Sequence, residues 1–268
     1  MYFDVIYYLL FTLFIVKYIV LQICVAVRPK GDIIMEPVYK RLLLKLSGEV
    51  LAGEAGHGFD FNVIEDVCKA IKRVTDMGVQ VGIVVGGGNF WRGRSSGDMD
   101  RTRADSIGML ATVMNSLALQ QGFLDIGVEA RVQSAVQITG VVETFIRDEA
   151  VRHLEKGRVV IFAGGTGNPF FSTDSGAALR AAQINADVLL KATNVDGIYD
   201  KDPNKYDDAV KFDTISHNEL LERHLKVMDT AAAAICQENN LPILVFNLND
   251  TSNIYKAVCG ENAGTVVS

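Results

Sequence analysis

Cysteine is scarce in this 268-residue chain: Cys24, Cys68, Cys236 and Cys259 are scattered, with no Cys-x-x-Cys spacing. That argues against a disulfide framework and against a cysteine zinc site, leaving reduced thiols. Basic excess is missing too. The formal charge is −6, so there is no electrostatic case for nucleic acid, and any phosphate chemistry must come from a local site. The four histidines, His57, His153, His217 and His224, show neither metal spacing nor a partnered serine or cysteine motif. Neither G-x-x-x-x-G-K-[ST] nor G-x-G-x-x-G occurs, so P-loop and Rossmann assignments lack their fingerprints. No 20-to-50-residue period repeats, and no low-complexity linker divides the chain.

Polar residues are nearly absent from one stretch. Between Val5 and Val27 the strongly polar side chains are Thr12, Lys17 and Gln22. The length suits a bilayer span of ~20 residues, but Lys17 sits mid-span, where a charge costs roughly 2.5–3.5 kcal/mol. A secretory signal wants a basic start, and "MYFD" has none. The expectation is that residues 1–34 are an upstream extension, with Met35 as initiator. The alternative is an N-terminal anchor that leaves the rest of the chain cytoplasmic. Intact mass of the natively purified protein separates the two.

The remainder alternates. Hydrophobic residues make up 49% and charged residues 22% of the chain, as in a globular protein. "RLLLKLSG", "VQVGIVVGGG", "EARVQSAV", "RVVIFAGGTG", "ADVLLKAT" and "PILVFNLN" read as strands. Between them lie helical patterns over 61–77, 105–121, "ETFIRDEAVRHLEKG" and "DSGAALRAAQIN", with a terminal helix and tail. The alternation predicts a single α/β domain over 35–268, a three-layer α/β/α sandwich around a mostly parallel sheet. Ligands in such sheets lie beyond the carboxyl ends of the strands.

Those strand ends carry polar, glycine-rich loops. "KLSGE" puts Lys45 in a strand and Ser47-Gly48 at its end, either a sheet-edge lysine before a turn or a cation beside exposed N–H groups. "VVGGGNFWRG" brings backbone amides close to a ligand and adds Arg92, which can grip phosphate; a flexible turn with a solvated arginine is the alternative. "FAGGTGNPFFSTDSGAA" sets glycines and hydrogen-bonding side chains just before a helix start, suited to an anion. Asp174 there either caps the helix or orients a lysine. "KATNVDGIYDKDP" is a solvated turn or, with Tyr199, an adenine-ribose cradle. Ala231–Ala234 reads as a tightly packed helix face.

In order, "KLSGE", "VVGGGNFWRG", "RADSIGMLATVMNSLALQ", "GGTGNPFFSTDS", "KATNVDGIYDKDP" and "VMDTAAAAICQENNLPILVFN" resemble the amino acid kinase superfamily, in its bacterial UMP kinase branch. The resemblance implies an ATP-dependent kinase of pyrimidine nucleotide biosynthesis that makes UDP from UMP. It places Lys45, Leu46, Ser47, Gly48, Gly88, Arg92, Thr193, Tyr199 and Asp202 on ATP. It places Gly87, Asp105 and the run Thr166, Gly167, Asn168, Pro169, Phe170, Phe171, Ser172 and Thr173 on UMP. Lys45, Arg92 and Asp174 become the catalytic set, with Asp174 positioning the lysine. The resemblance also implies Mg²⁺ with ATP, a cytoplasmic homohexamer without membrane, GTP activation and UTP inhibition. The GTP-responsive stretch would be Gly53, Glu54, Ala55, Gly56, His57 and Gly58, with His57 where many relatives have Phe. No protein metal ligand is assigned. Phosphorylation of a carboxylate or carbamate on the same fold, and a non-catalytic nucleotide sensor, are the competing readings.

Overall fold

Alternation within "RLLLKL" builds the first strand, β1 (Arg41–Leu46), and decides which residues face which layer. A computed structural model describes residues 36–92, 97–223, 225 and 227–268. The apolar extension, Met35 and His224 lie outside the described residues, and residues 36–268 form one compact unit. β2 (Gln80–Val85), β3 (Ala130–Ser134), β5 (Val159–Ala163), β6 (Val188–Thr193) and β10 (Ile243–Asn247) match the strands expected from sequence. With the short β4 (Glu143–Thr144) and β9 (Thr214–Ile215), and β11 (Gly264–Val267), they form one sheet ordered β4-β3-β5-β2-β1-β6-β10-β11-β9. All neighbours are parallel except β10 and β11. A separate hairpin pairs β7 (Ile198–Tyr199) with β8 (Lys211–Phe212).

Side chains alternate across β1, so Leu42, Leu44 and Leu46 enter one core layer and Leu43 the other. The first layer is closed by α1 (Phe61–Thr75), α2 (Arg101–Asp125) and α7 (Ser252–Val258). The second is closed by α3 (Arg147–Glu155), α4 (Thr173–Gln183), the short α5 (His217–Glu222) and α6 (Thr230–Glu238). α1 follows its sequence pattern: the Asp60 carboxylate accepts from the N–H groups of Asn62 and Val63, and Ile64, Val67, Ile71 and Val74 are buried. Ala232 and Ala233 of α6 are buried as well.

Three boundaries differ from expectation. α2 begins four residues early because Asp100 accepts from Arg103 N at 3.2 Å and caps it, a signal hidden among neighbouring charges. Glu143-Thr144 pairs with β3 instead of starting α3, since Phe145 N donates to Ser134 O at 2.9 Å and its ring packs on Phe162. The tail becomes β11, whose Gly264 lies so close to β10 that a Cβ would sit 1.9 Å from Val245 O. Among the described residues, no helix is long and apolar enough to cross a membrane.

Candidate active site

Lys45 lies opposite Lys191 in the β1–β6 register. Each lysine follows a leucine of the second layer by two positions, Leu43 and Leu189 respectively, so both ammonium groups emerge on the face covered by α4. Asp174, in the first turn of α4, receives them. Lys45 Nζ stands 2.9 Å from one carboxylate oxygen, and Lys191 Nζ pairs with the other. Burial alone would raise the Asp174 carboxyl, but the two cations outweigh it and hold it below the usual carboxylate range. For Lys191 burial is the stronger influence and lowers its pKa despite Asp174. The result is a nearly dry cluster of two ammonium groups on one carboxylate at the carboxyl end of the sheet, with the Asp229 carboxylate close enough to act on Lys191.

Glycine turns from β1 and β2 pack against each other beside this group. A Cβ on Gly48 would meet Gly86 O at 2.3 Å and the Asn89 Oδ1 at 2.6 Å, so nothing larger fits. Behind the turns, Asn89 and Asn115 exchange amide hydrogen bonds at 3.0 and 2.7 Å. Asn115 also donates to Gly86 O at 2.6 Å, and Asn89 to Gly58 O at 2.8 Å. The pair is buried and ties the β2 turn to α2 and to the segment at Gly58. Replacing Gly48 by alanine is expected to cost about 1–3 kcal/mol through overpacking against backbone and to reduce activity. Thermal unfolding checks it, and a wild-type midpoint would refute the close approach.

The loop after β5 is held from both ends. Gly164, Gly165 and Gly167 take positive φ (73°, 57° and 83°), and so does the non-glycine Phe170 (72°). Asp105 secures Phe170 by accepting from its N–H at 2.8 Å, while Arg101 Nε donates to Asp105 at 2.7 Å. Ser172 then caps α4 by accepting from Asp174 N and Ser175 N. The hydroxyls of Ser172 and Ser175 donate to Asp229, which also caps α6 through Ala232 N at 2.9 Å. Asp229 therefore locks together two helix N-termini that both point at the site.

Two clefts open here, of about 750 and 730 Å³. The first is lined by Gly48, Gly87, Gly88, Arg92, Asp105, Thr166, Asn168, Phe170, Phe171, Ser172, Thr173 and Asp174. The second is lined by Lys191, Thr193, Tyr199 and Asp202. Lys45 and Ser47 line both. Gly88 and Arg92, assigned from sequence to the ATP side, border the first cleft, where Arg92 pairs with Glu49. Leu46 is buried in the core, and Gly167 and Pro169 line neither cleft. The stretch Gly53–Gly58 also lies outside both, with His57 edge-on to Phe90 at 5.6 Å.

Lys191, Asp229, Arg101 and the Asn89–Asn115 pair were not singled out from sequence. Lys191 left a readable mark, being a lone charge inside the otherwise apolar start of "VLLKAT"; Asp229 left another, as the acid just before an alanine helix.

The chain as a whole has known relatives. The model of the family described as "Amino acid kinase family" matches residues 40–247. The chain belongs to the amino acid kinase family. Among solved structures it is similar to a UMP kinase from Bacillus anthracis, at 37% identity and TM-score 0.83, with 86% of this chain and 96% of that one covered. A UMP kinase from Ureaplasma parvum matches at 39% identity and TM-score 0.82, over 85% and 98% of the two chains. A uridylate kinase from Archaeoglobus fulgidus matches at 32% and 0.65, over 85% and 99%. These similarities cover nearly the whole of each relative.

Proposed function

We propose that this family member transfers the γ-phosphoryl group of ATP to UMP, giving ADP and UDP. The observation that carries the reading is that two clefts of similar size meet at Lys45 and Ser47, above Asp174. The acceptor nucleotide occupies the first cleft, against Asp105 and the Thr166–Thr173 loop, and the donor occupies the second, against Thr193, Tyr199 and Asp202. Support comes from the three relatives named as UMP or uridylate kinases.

The acceptor is a phosphate oxygen, already anionic near neutral pH, so no general base is required. The chemical task is alignment and offsetting of charge during an in-line transfer. Lys45 and Lys191 place two ammonium groups against one carboxylate beside the cleft junction, where they can face the phosphates. Backbone N–H groups of the glycine turns and the Arg92 guanidinium add donors from the acceptor side. Asp174 and Asp229 are engaged by lysines and serine hydroxyls, a donor set that fits Mg²⁺ carried chiefly on substrate phosphates and water. When bound there, the ion supplies charge neutralisation to the donor's phosphates.

The proposal includes the finer properties of the UMP kinase branch: a cytoplasmic homohexamer in pyrimidine nucleotide synthesis, activated by GTP through Gly53–Gly58 and inhibited by UTP. An exposed apolar row on α2, formed by Ile107, Leu110 and Met114, supports self-association. Light scattering, and assays with GTP or UTP added, check these points. The deciding assay offers UMP, CMP, aspartate, glutamate and carbamate side by side with ATP and Mg²⁺. UMP-dependent ADP release is expected. A clear preference for an amino acid or carbamate would overturn the reading, and nucleotide binding without ADP release would replace it with a sensor.

A further inference from the structure

Arg180 is the one buried arginine among the described residues, 4% exposed, and no carboxylate there pairs with it. A buried cation without an anion is costly, so its partners are informative. The guanidinium lies 3.9 Å from the centre of the Phe145 ring, donates to the Gln183 side-chain oxygen at 2.5 Å and to Gly165 O at 3.3 Å. Its Nε has no acceptor. Burial draws its pKa down to about 10, which still leaves it charged at neutral pH.

Gly165 belongs to the loop that lines the first cleft, and no backbone N–H among the described residues donates to its carbonyl. α4 reaches this carbonyl because Gly176, one helical turn before Arg180 on the same face, lets the loop approach. A Cβ at 176 would lie 3.3 Å from Gly165 C. A trans peptide sets C=O and the following N–H in opposite directions. With Gly165 O turned toward Arg180, the Thr166 N–H points away from that guanidinium, and both residues border the first cleft. That N–H makes no hydrogen bond with any described residue.

We infer that Arg180 is a positioning residue for the acceptor: by holding the Gly165 carbonyl, it presents the Thr166 N–H to an oxygen of the nucleotide in the first cleft. The inference rests on the acceptor reading of that cleft. It concerns one substrate only, because none of the partners of its guanidinium, Phe145, Gln183 and Gly165, lines the second cleft.

The test is calorimetric binding of UMP and of Mg·ATP, with KM for each, in wild type, Arg180→Met and Arg180→Lys. The expected result for Arg180→Met is a loss of UMP affinity of about ten-fold, the scale of one hydrogen bond to a charged group, with ATP affinity within two-fold of wild type. Arg180→Lys keeps a cationic donor and is expected to lose less. Equal weakening of UMP and ATP overturns the inference in favour of general loosening, and unchanged UMP affinity overturns it outright. Should Arg180→Met fail to fold, Arg180→Gln is read by the same UMP-against-ATP comparison. A wild type without UMP-dependent ADP release overturns the acceptor reading and this inference together. An active wild type whose Arg180→Met retains its KM for UMP overturns this inference alone.

Discussion

Lys45→Ala is expected to lower kcat by about 10²–10³-fold, the range found when one preorganised donor to developing charge is removed. The fold should tolerate the change. Asp174 keeps Lys191 as its partner, so no unpaired carboxylate is left in the interior, and Leu42, Leu43, Leu44 and Leu46 still anchor the strand in both layers. The effect should fall on kcat more than on either KM, because the donor and acceptor clefts keep their other contacts. Initial rates at varied ATP and UMP, beside a thermal melt, check this. A kcat within about three-fold of wild type, far inside that range, would remove Lys45 from the reacting centre.

Asp174→Asn is expected to damage both activity and stability. The amide keeps the shape and can still accept a hydrogen bond, but two ammonium groups on adjacent strands lose their shared anion. Removing one partner of a buried ion pair costs about 3–5 kcal/mol, which for a domain of this size lowers the unfolding midpoint by roughly 10 °C. Activity should fall by about 10²-fold or more, since neither lysine is then fixed against the phosphates. Two controls separate this account from simple misfolding. Nucleotide phosphate can stand in for the missing anion, so Mg·ATP should raise the midpoint of Asp174→Asn by more than that of wild type. The second control is pH. A carboxyl held below its unfolded value, ~3.9, contributes stability above that value and loses it as pH falls through the depressed folded one. The melting curves of wild type and Asp174→Asn should therefore converge in acid and separate near neutrality. Parallel curves at all pH values would contradict the ionised state assigned to Asp174.

Most of the frame was legible because local signals and tertiary demands agree. The strand "RLLLKL", the α1 stripe and the helix start at "STDS" each specify their element with residues close in sequence, although the cap there is Ser172 and not Asp174. What escaped were features whose cause lies elsewhere in the chain. Glu143-Thr144 carries acceptable helix formers, and pairing with Gln133 and Ser134 overrides them. Thr265 and its neighbours look like a tail until β10 offers an antiparallel edge. Within the site, Lys45 and Asp174 could be named from their segments, whereas Lys191 and Arg180 could not. A lysine in an apolar strand and an arginine among alanines declare only that some partner exists, not which one.

The division between sequence and structure follows from range. By itself the sequence determined the alternating elements and the glycine turns at strand ends, since periodicity, capping and turn chemistry act over a few residues; the family was legible only through the resemblance of whole segments taken in order. Tertiary structure decided that Lys45 and Lys191 stand in register over one carboxylate, that Asp229 joins two helix starts, and that two clefts share Ser47. Those facts depend on strand order and on the interior's low polarity, which forces each buried charge or carbonyl to find its counterpart across the fold.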